Sequence, residues 1–293
     1  AASRAGDPHT NLLNGEWVPV GPNAIQAPEV NWLGRVNTLA FHPTIASVIY
    51  AGTPDGGLWV TYSGGTAWFP LTDGLPCSAV SGIAIHPTNP STIYILTGDG
   101  DASPSVNYFT KRGAGVYKTT DAGNTWNITG LNWQMSEGKV GYELQMSPVN
   151  PNILFAATSN GVYRTLDGGN NWVVNWPGTP ISCIRFKPDD PNRLVASAIG
   201  ANRLLISTTG GDIWFFSPFL SLPSSSAYTR GELAVTPANP DIVYLICSSG
   251  VSPTIYQGLH AYKWSTNSLS TLHTTPDILG GQVWYNIGLW VSP

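Results

Sequence analysis

One turn sequence recurs in phase with one strand pattern, and together they restrict the chain to a repeat fold. The segment TTDAGNTW (Thr119 to Trp126) returns as TLDGGNNW (Thr165 to Trp172), STTGGDIW (Ser207 to Trp214) and TYSGGTAW (Thr61 to Trp68). Between these copies runs an apolar strand that ends in proline and is followed by a second strand. It appears as NTLAFHPTIASVIYAG, SGIAIHPTNPSTIYILTG, YELQMSPVNPNILFAAT, SCIRFKPDDPNRLVAS and GELAVTPANPDIVYLI. The prolines are Pro43, Pro87, Pro148, Pro188 and Pro237, and YNIGLWVSP begins a sixth copy at Pro293. Each unit reads strand, Pro turn, strand, variable loop, strand, Asp-Gly turn, strand. Four short strands per unit of roughly 40–60 residues is the signature of a β-propeller blade.

Alternation along the first strand supports this all-β fold. Four residues before each proline stand Leu39, Ile83, Leu144, Ile184, Leu233 and Leu289; two before it stand Phe41, Ile85, Met146, Phe186, Val235 and Val291. Two apolar columns at period two predict one buried face per first strand, packed between adjacent blades. The predicted blades are 34–76, 77–132, 133–179, 180–224 and 225–277, with the start of another at 278–293. Residues 1–33 form a lead-in and candidate closing strand around GEWVPVGP. Five modules and the start of a sixth do not obviously close a ring, so a further stretch of polypeptide or a partner chain is expected to complete it.

Charge and cysteine exclude several classes. Only 10% of the 293 residues are charged and the net charge is -4, with no basic stripe, so nucleic acid is not an expected partner. No apolar run reaches the ~18 residues of a membrane span. Cys77, Cys183 and Cys247 are far apart and lack zinc spacing, so they read as buried small residues. Low charge and abundant aromatics favour an extracellular protein.

The turns resemble the Asp-box, or BNR, repeat, Ser/Thr-x-Asp-x-Gly-x-Thr-Trp. Thr119, Asp121, Gly123, Thr125 and Trp126 match it fully; Thr165, Asp167, Gly169 and Trp172 match with Asn171 in the Thr place. Ser63 and Thr209 replace the Asp in two copies, and KWSTNSLSTLH has lost the motif. GRVNTLAFHP and IYAGTPDGGLW look like secreted bacterial sortilin-like and xyloglucanase-like propellers, some of which carry a type IX secretion signal. The resemblance implies that Asp121 and Asp167 are structural. A short carboxylate accepts N–H groups of its own turn, Gly permits positive φ, and Trp anchors the hairpin.

Function is therefore sought on the opposite face, in loops joining second to third strands and blade to blade. The longest, TGDGDASPSVNYFTKRGAG, offers Asp99, Asp101, Lys111 and Arg112 as ligand contacts. Its GDGD makes calcium a candidate, although full calcium-loop spacing is absent; no other cofactor is expected. The fifth residue before each proline, facing the axis, is small except for Glu143 and Glu232. Paired carboxylates are what glycoside hydrolysis needs; the alternative is a polar channel in which they pair with Arg230, Arg35 or Arg185. Asp55 lies one place beyond the position where xyloglucanase-like enzymes carry a catalytic Asp, and Pro54 takes that position. Trp133, Trp284 and Tyr285 are candidate aromatic platforms, or else packing residues. Two functions follow: a secreted or cell-surface bacterial recognition or scaffold propeller for a glycan or extracellular protein, or a xyloglucanase-like glycoside hydrolase.

Overall fold

The computed structural model describes residues 35–101, 111–201, 204–217, 228–249, 255–275 and 288–291. These form five four-stranded antiparallel sheets in chain order, each a simple meander. The first holds β1 (Thr38–Phe41), β2 (Ile49–Gly52), β3 (Leu58–Thr61) and β4 (Phe69–Pro70). The second holds β5 (Val80–Ile85), β6 (Ile93–Thr97), β7 (Gly115–Thr119) and β8 (Asn127–Asn132). Then come β9 (Gly141–Met146), β10 (Leu154–Thr158), β11 (Gly161–Thr165) and β12 (Val173–Pro177). The fourth sheet is β13 (Ile181–Lys187), β14 (Asp190–Ala198), β15 (Leu204–Ser207) and β16 (Phe215–Phe216). The fifth is β17 (Tyr228–Val235), β18 (Ile242–Ser249), β19 (Ile255–Lys263) and β20 (Ser268–His273).

First strands of successive sheets pack against one another, β1 on β5, β5 on β9, β9 on β13 and β13 on β17, and so surround the axis. The core is therefore divided into layers between sheets. Tyr50, Leu58 and Val60 meet Ile83, Ile93 and Ile95; Leu96, Val116 and Trp133 meet Leu144, Leu154 and Tyr163. Phe155 and Val162 meet Ile184 and Phe186, and Val195 and Leu204 meet Leu233 and Val243. In every layer the columns four and two residues before the proline face the preceding sheet. Leu144 is 3% exposed, and Ile184 and Leu233 are fully buried.

The first sheet departs from this pattern. Leu39 is 55% and Phe41 60% exposed, so the expectation of a buried face fails for β1. The columns face backwards, and β1 has no preceding sheet among the described residues. At the other end of the series, Leu289 of the sixth copy packs on Ile246, Tyr256 and Leu259 of the fifth sheet.

Turn chemistry fixes the strand phase. In two of the units a histidine before the proline closes its own turn: His42 Nδ1 accepts the Ile45 N–H at 3.1 Å, and His86 Nδ1 accepts that of Asn89 at 3.1 Å. All three cysteines are buried thiols. Among the described residues no helix is long and apolar enough to cross a membrane.

Candidate functional site

The Asp-centred turns lie at the outer edge of each sheet, between its third and fourth strands. Asp121 Oδ1 accepts the Thr119 hydroxyl at 2.6 Å and the Thr125 N–H at 2.9 Å, while Oδ2 takes the Thr125 hydroxyl at 2.6 Å. Those donors, Thr119 first, hold its carboxyl down at about 2. Asp167 repeats the arrangement, with Asn171 supplying N–H and side-chain donors at 2.9 and 2.7 Å, and is likewise held at about 2. Gly123 and Gly169 take φ of 96° and 92°. Trp126 Nε1 donates to the Leu71 carbonyl of the preceding unit at 3.0 Å, and Trp172 packs at the interface of the second and third sheets. Where the carboxylate is missing, a hydroxyl takes over: Ser63 Oγ accepts the Ala67 N–H at 3.0 Å and Thr209 Oγ1 that of Ile213 at 2.9 Å. In the fifth sheet, Asp241 from the turn between β17 and β18 accepts the Ser265 N–H at 2.8 Å and hydroxyl at 2.6 Å. Four of the turns are closed by a side chain of their own, and the fifth by Asp241 of a neighbouring turn.

At the opposite end, where first strands begin, the axis holds a cavity of about 580 Å³. All five sheets and the 288–289 segment reach it. Three β-bulges shape its wall. Register slips beside Ser81, Tyr142 and Ser182, each of which stands six residues before its proline. A bulge adds one residue and re-aims the side chain, so these three line the cavity together with Asn37 at the same repeat position. Burial pushes the Tyr142 phenol up to about 12, so it remains a donor.

Below them lies an ion-pair lattice. Arg185 donates from Nη1 to Glu143 Oε1 and from Nη2 to Glu232 Oε1 at 3.0 Å. Glu143 also accepts the Ile184 N–H at 2.8 Å and the Gln145 amide at 2.9 Å. Arg230 Nη2 lies 2.8 Å from Asp101 and 3.9 Å from Glu232, and Arg35 pairs with Asp99. Burial drives the Glu232 carboxyl up to about 7, with Arg185 pulling the other way and Glu143 adding to the rise. Burial also raises Asp99, against the pull of Arg35.

The sequence-predicted residues thus separate. Glu143, Glu232, Asp101 and Arg230 come together in the cavity, with Asp99 beside it. Asp55 stands outside, 65% exposed, accepting the Ser78 hydroxyl at 3.1 Å and facing Lys111 at 3.2 Å. Lys111 is spent on that contact, and Arg112 Nη1 donates to the Met135 carbonyl at 3.3 Å. Trp133 is a correction: it is 4% exposed, edge-on to Tyr163 with Lys139 over its ring, because the next sheet covers it. Trp284 and Tyr285 lie outside the described residues. The GDGD carboxylates engage arginines, and no cluster of three metal-ligating side chains occurs among the described residues. Sequence reasoning missed Tyr142, Ser81 and Ser182 as cavity residues; the polar column six before the proline was the available signal.

No protein-family model and no curated protein sequence matches the chain. Solved structures do. A GH74 xyloglucanase from Xanthomonas campestris superposes with a TM-score of 0.62 at 16% identity, over 83% of this chain and 38% of that one. A GH74 enzyme from Niastella koreensis gives 0.58 at 21% identity, over 81% and 37%. YCF48 from Cyanidioschyzon merolae gives 0.50 at 12% identity, over 84% and 73%. At these identities the likeness is one of fold, a β-propeller, and this chain spans less than two fifths of each GH74 enzyme.

Proposed function

We propose that this chain is an Asp-box (BNR) propeller of the secreted, sortilin-like and xyloglucanase-like bacterial group, acting as a recognition or scaffold module for a glycan. One observation carries this reading. The polar cavity opens at the end away from the Asp-centred turns, and its carboxylates are held in guanidinium pairs. Glutamates fixed in this way make a rigid, nearly neutral wall of donors and acceptors, which suits hydroxyl-rich ligands. Kinship of fold with a xyloglucanase points to a polysaccharide as the ligand. The exposed Leu39 and Phe41 face supports further polypeptide, from a longer chain or a partner, beside the first sheet. Titration calorimetry with xyloglucan and cello-oligosaccharides tests the reading. Saturable binding is expected, and absence of binding to any glycan would remove it.

A glycoside hydrolase is the second reading, and Glu232 favours it. A carboxyl raised to about 7 beside a second carboxylate is how an acid and its partner are set apart at neutral pH. Asp55, outside the cavity, has no part in that chemistry. Release of reducing ends from xyloglucan, lost in both Glu143→Gln and Glu232→Gln, would establish hydrolysis and displace the recognition reading.

A further inference from the structure

Three successive interfaces between sheets share one contact at their outer end. The residue three places after a motif tryptophan touches the motif glycine of the next unit. A Cβ built on Gly123 would lie 3.0 Å from the Leu71 side chain, and one on Gly169 would lie 3.2 Å from the Thr129 methyl. The Asn175 amide donates to the Gly211 carbonyl at 2.9 Å. Leu71, Thr129 and Asn175 follow Trp68, Trp126 and Trp172 by the same interval, and Gly123, Gly169 and Gly211 are all buried. Gly65 holds the same place in the first unit and is buried too. Yet no sheet precedes the first among the described residues, and Leu39 and Phe41 on its innermost strand are exposed. Burial of Gly65 beside a bare inner flank fits a cover at the outer end that the described residues do not supply.

One segment of this chain carries the chemistry of such a cover. TNLLNGEWVPVG (Thr10 to Gly21) sets Thr10 and Trp17 at the interval that separates Thr61 from Trp68, Thr119 from Trp126 and Thr165 from Trp172. Asn14 stands in the place of the glycine, and Asn tolerates left-handed backbone better than most side chains. Leu12 stands where the carboxylate would be, so this copy lacks it, as two described copies do. After the tryptophan, Trp17-Val18-Pro19-Val20 parallels Trp68-Phe69-Pro70-Leu71. Gly21 parallels Gly130, whose N–H donates to the Gly169 carbonyl at 2.8 Å. Val20 thus falls where Leu71 does.

We infer that Val20 seats on Gly65, so that residues 17–21 form the outer strand of a sheet between the fifth and the first. Trp17 then turns toward the fifth sheet, as Trp126, Trp172 and Trp214 turn toward the sheet before their own. Leu289 packs on the fifth sheet as well, so segments from both ends of the sequence share one sheet. The connection has room: Asn175 reaches β13 at Ile181, and Val20 has a longer stretch to β1 at Thr38. This docking anchors the chain entering Arg35, which pairs with Asp99 beside the cavity, and it does not depend on what the cavity binds.

The methyl-labelled full chain would be examined by NMR. Contacts from the Leu71 methyls to the Gly123 α-protons, and from the Thr129 methyl to those of Gly169, serve as references. A nuclear Overhauser effect of like strength is expected from the Val20 methyls to Gly65. Val20→Asp should abolish it and speed amide exchange of residues 61–68 by at least about tenfold, with residues 165–172 unchanged. Val20→Ile should preserve both. Contact of Gly65 with methyls of any other segment would overturn the assignment. So would a contact seen only between differently labelled molecules, which would make the occupant a second copy. References present with no methyl at Gly65 would overturn it too.

Discussion

The two ends of the propeller solve their hydrogen bonding in opposite ways. At the Asp-centred turns the carboxylate takes its donors from within four residues of chain, and the same solution serves Asp121 and Asp167. At the cavity the main ion pairs join three different pairs of sheets: Arg185 to Glu143, Arg185 to Glu232, Arg230 to Asp101. Local, repeated chemistry builds a scaffold that survives substitution, as Ser63 and Thr209 show. Non-local, singular chemistry makes each cavity contact depend on two separate sheets.

The largest test of that contrast is Arg185→Ala. Removing the guanidinium leaves two glutamates half-buried without their shared partner, and about 3–5 kcal/mol of stability should vanish in urea unfolding. A loss under 1 kcal/mol would mean that the lattice is as forgiving as the turns. Next comes pH, where the two ends should pull in opposite directions. Asp121 and Asp167 have folded values near 2, below the ordinary 3.8, so their contribution is complete above pH 4 and disappears as pH falls through 2. Glu232 has a folded value near 7, above the ordinary 4.5, so the folded state holds the extra proton between them. Stability should therefore fall from pH 4.5 to 7 by up to about 1.4 kcal/mol per unit. Glu232→Gln should remove that upper slope and leave the acid limb intact, as followed by melting temperature across pH.

Smaller effects belong to the turns. Ala122 sits at φ 60° where the other copies of the motif carry glycine. Ala122→Gly should stabilise by about 1 kcal/mol, since the left-handed region costs an L-residue that much. Thr209→Asp would restore a carboxylate for the Ile213 N–H and should add ~0.5 kcal/mol, the gain of a charged over a neutral acceptor. No gain from either would show that the turns are already at their optimum.

The scaffold was readable because its signals are local. Proline spacing, two apolar columns and the Asp-Gly turn each fall within a few residues, and they placed Glu143 and Glu232 at the axis. Tyr142 and Ser182 escaped because strict alternation assigns the sixth position to the sheet-facing side, and a bulge, which has no sequence mark of its own, turns it inward. Arg185 was visible only as a candidate partner, since three of the other first strands carry alanine at its position. For Trp133 the packing alternative holds; the sequence left it open because a loop aromatic looks exposed until the neighbouring sheet is in place. The fifth turn looked eroded because its carboxylate, Asp241, comes from a different loop.

The bare flank of the first sheet has a further consequence for how the molecule comes apart. A stack of like units held mainly by nearest-neighbour contacts behaves as a one-dimensional array, and its terminal members, each with one neighbour fewer, open first. With Leu39 and Phe41 uncovered, the first sheet is such a terminal member, and the third, enclosed on both sides, is an interior one. Amide exchange should accordingly run as a wave, from the Thr38–Phe41 strand inwards to Leu154–Thr158. Covering that flank should convert the wave into a single cooperative step.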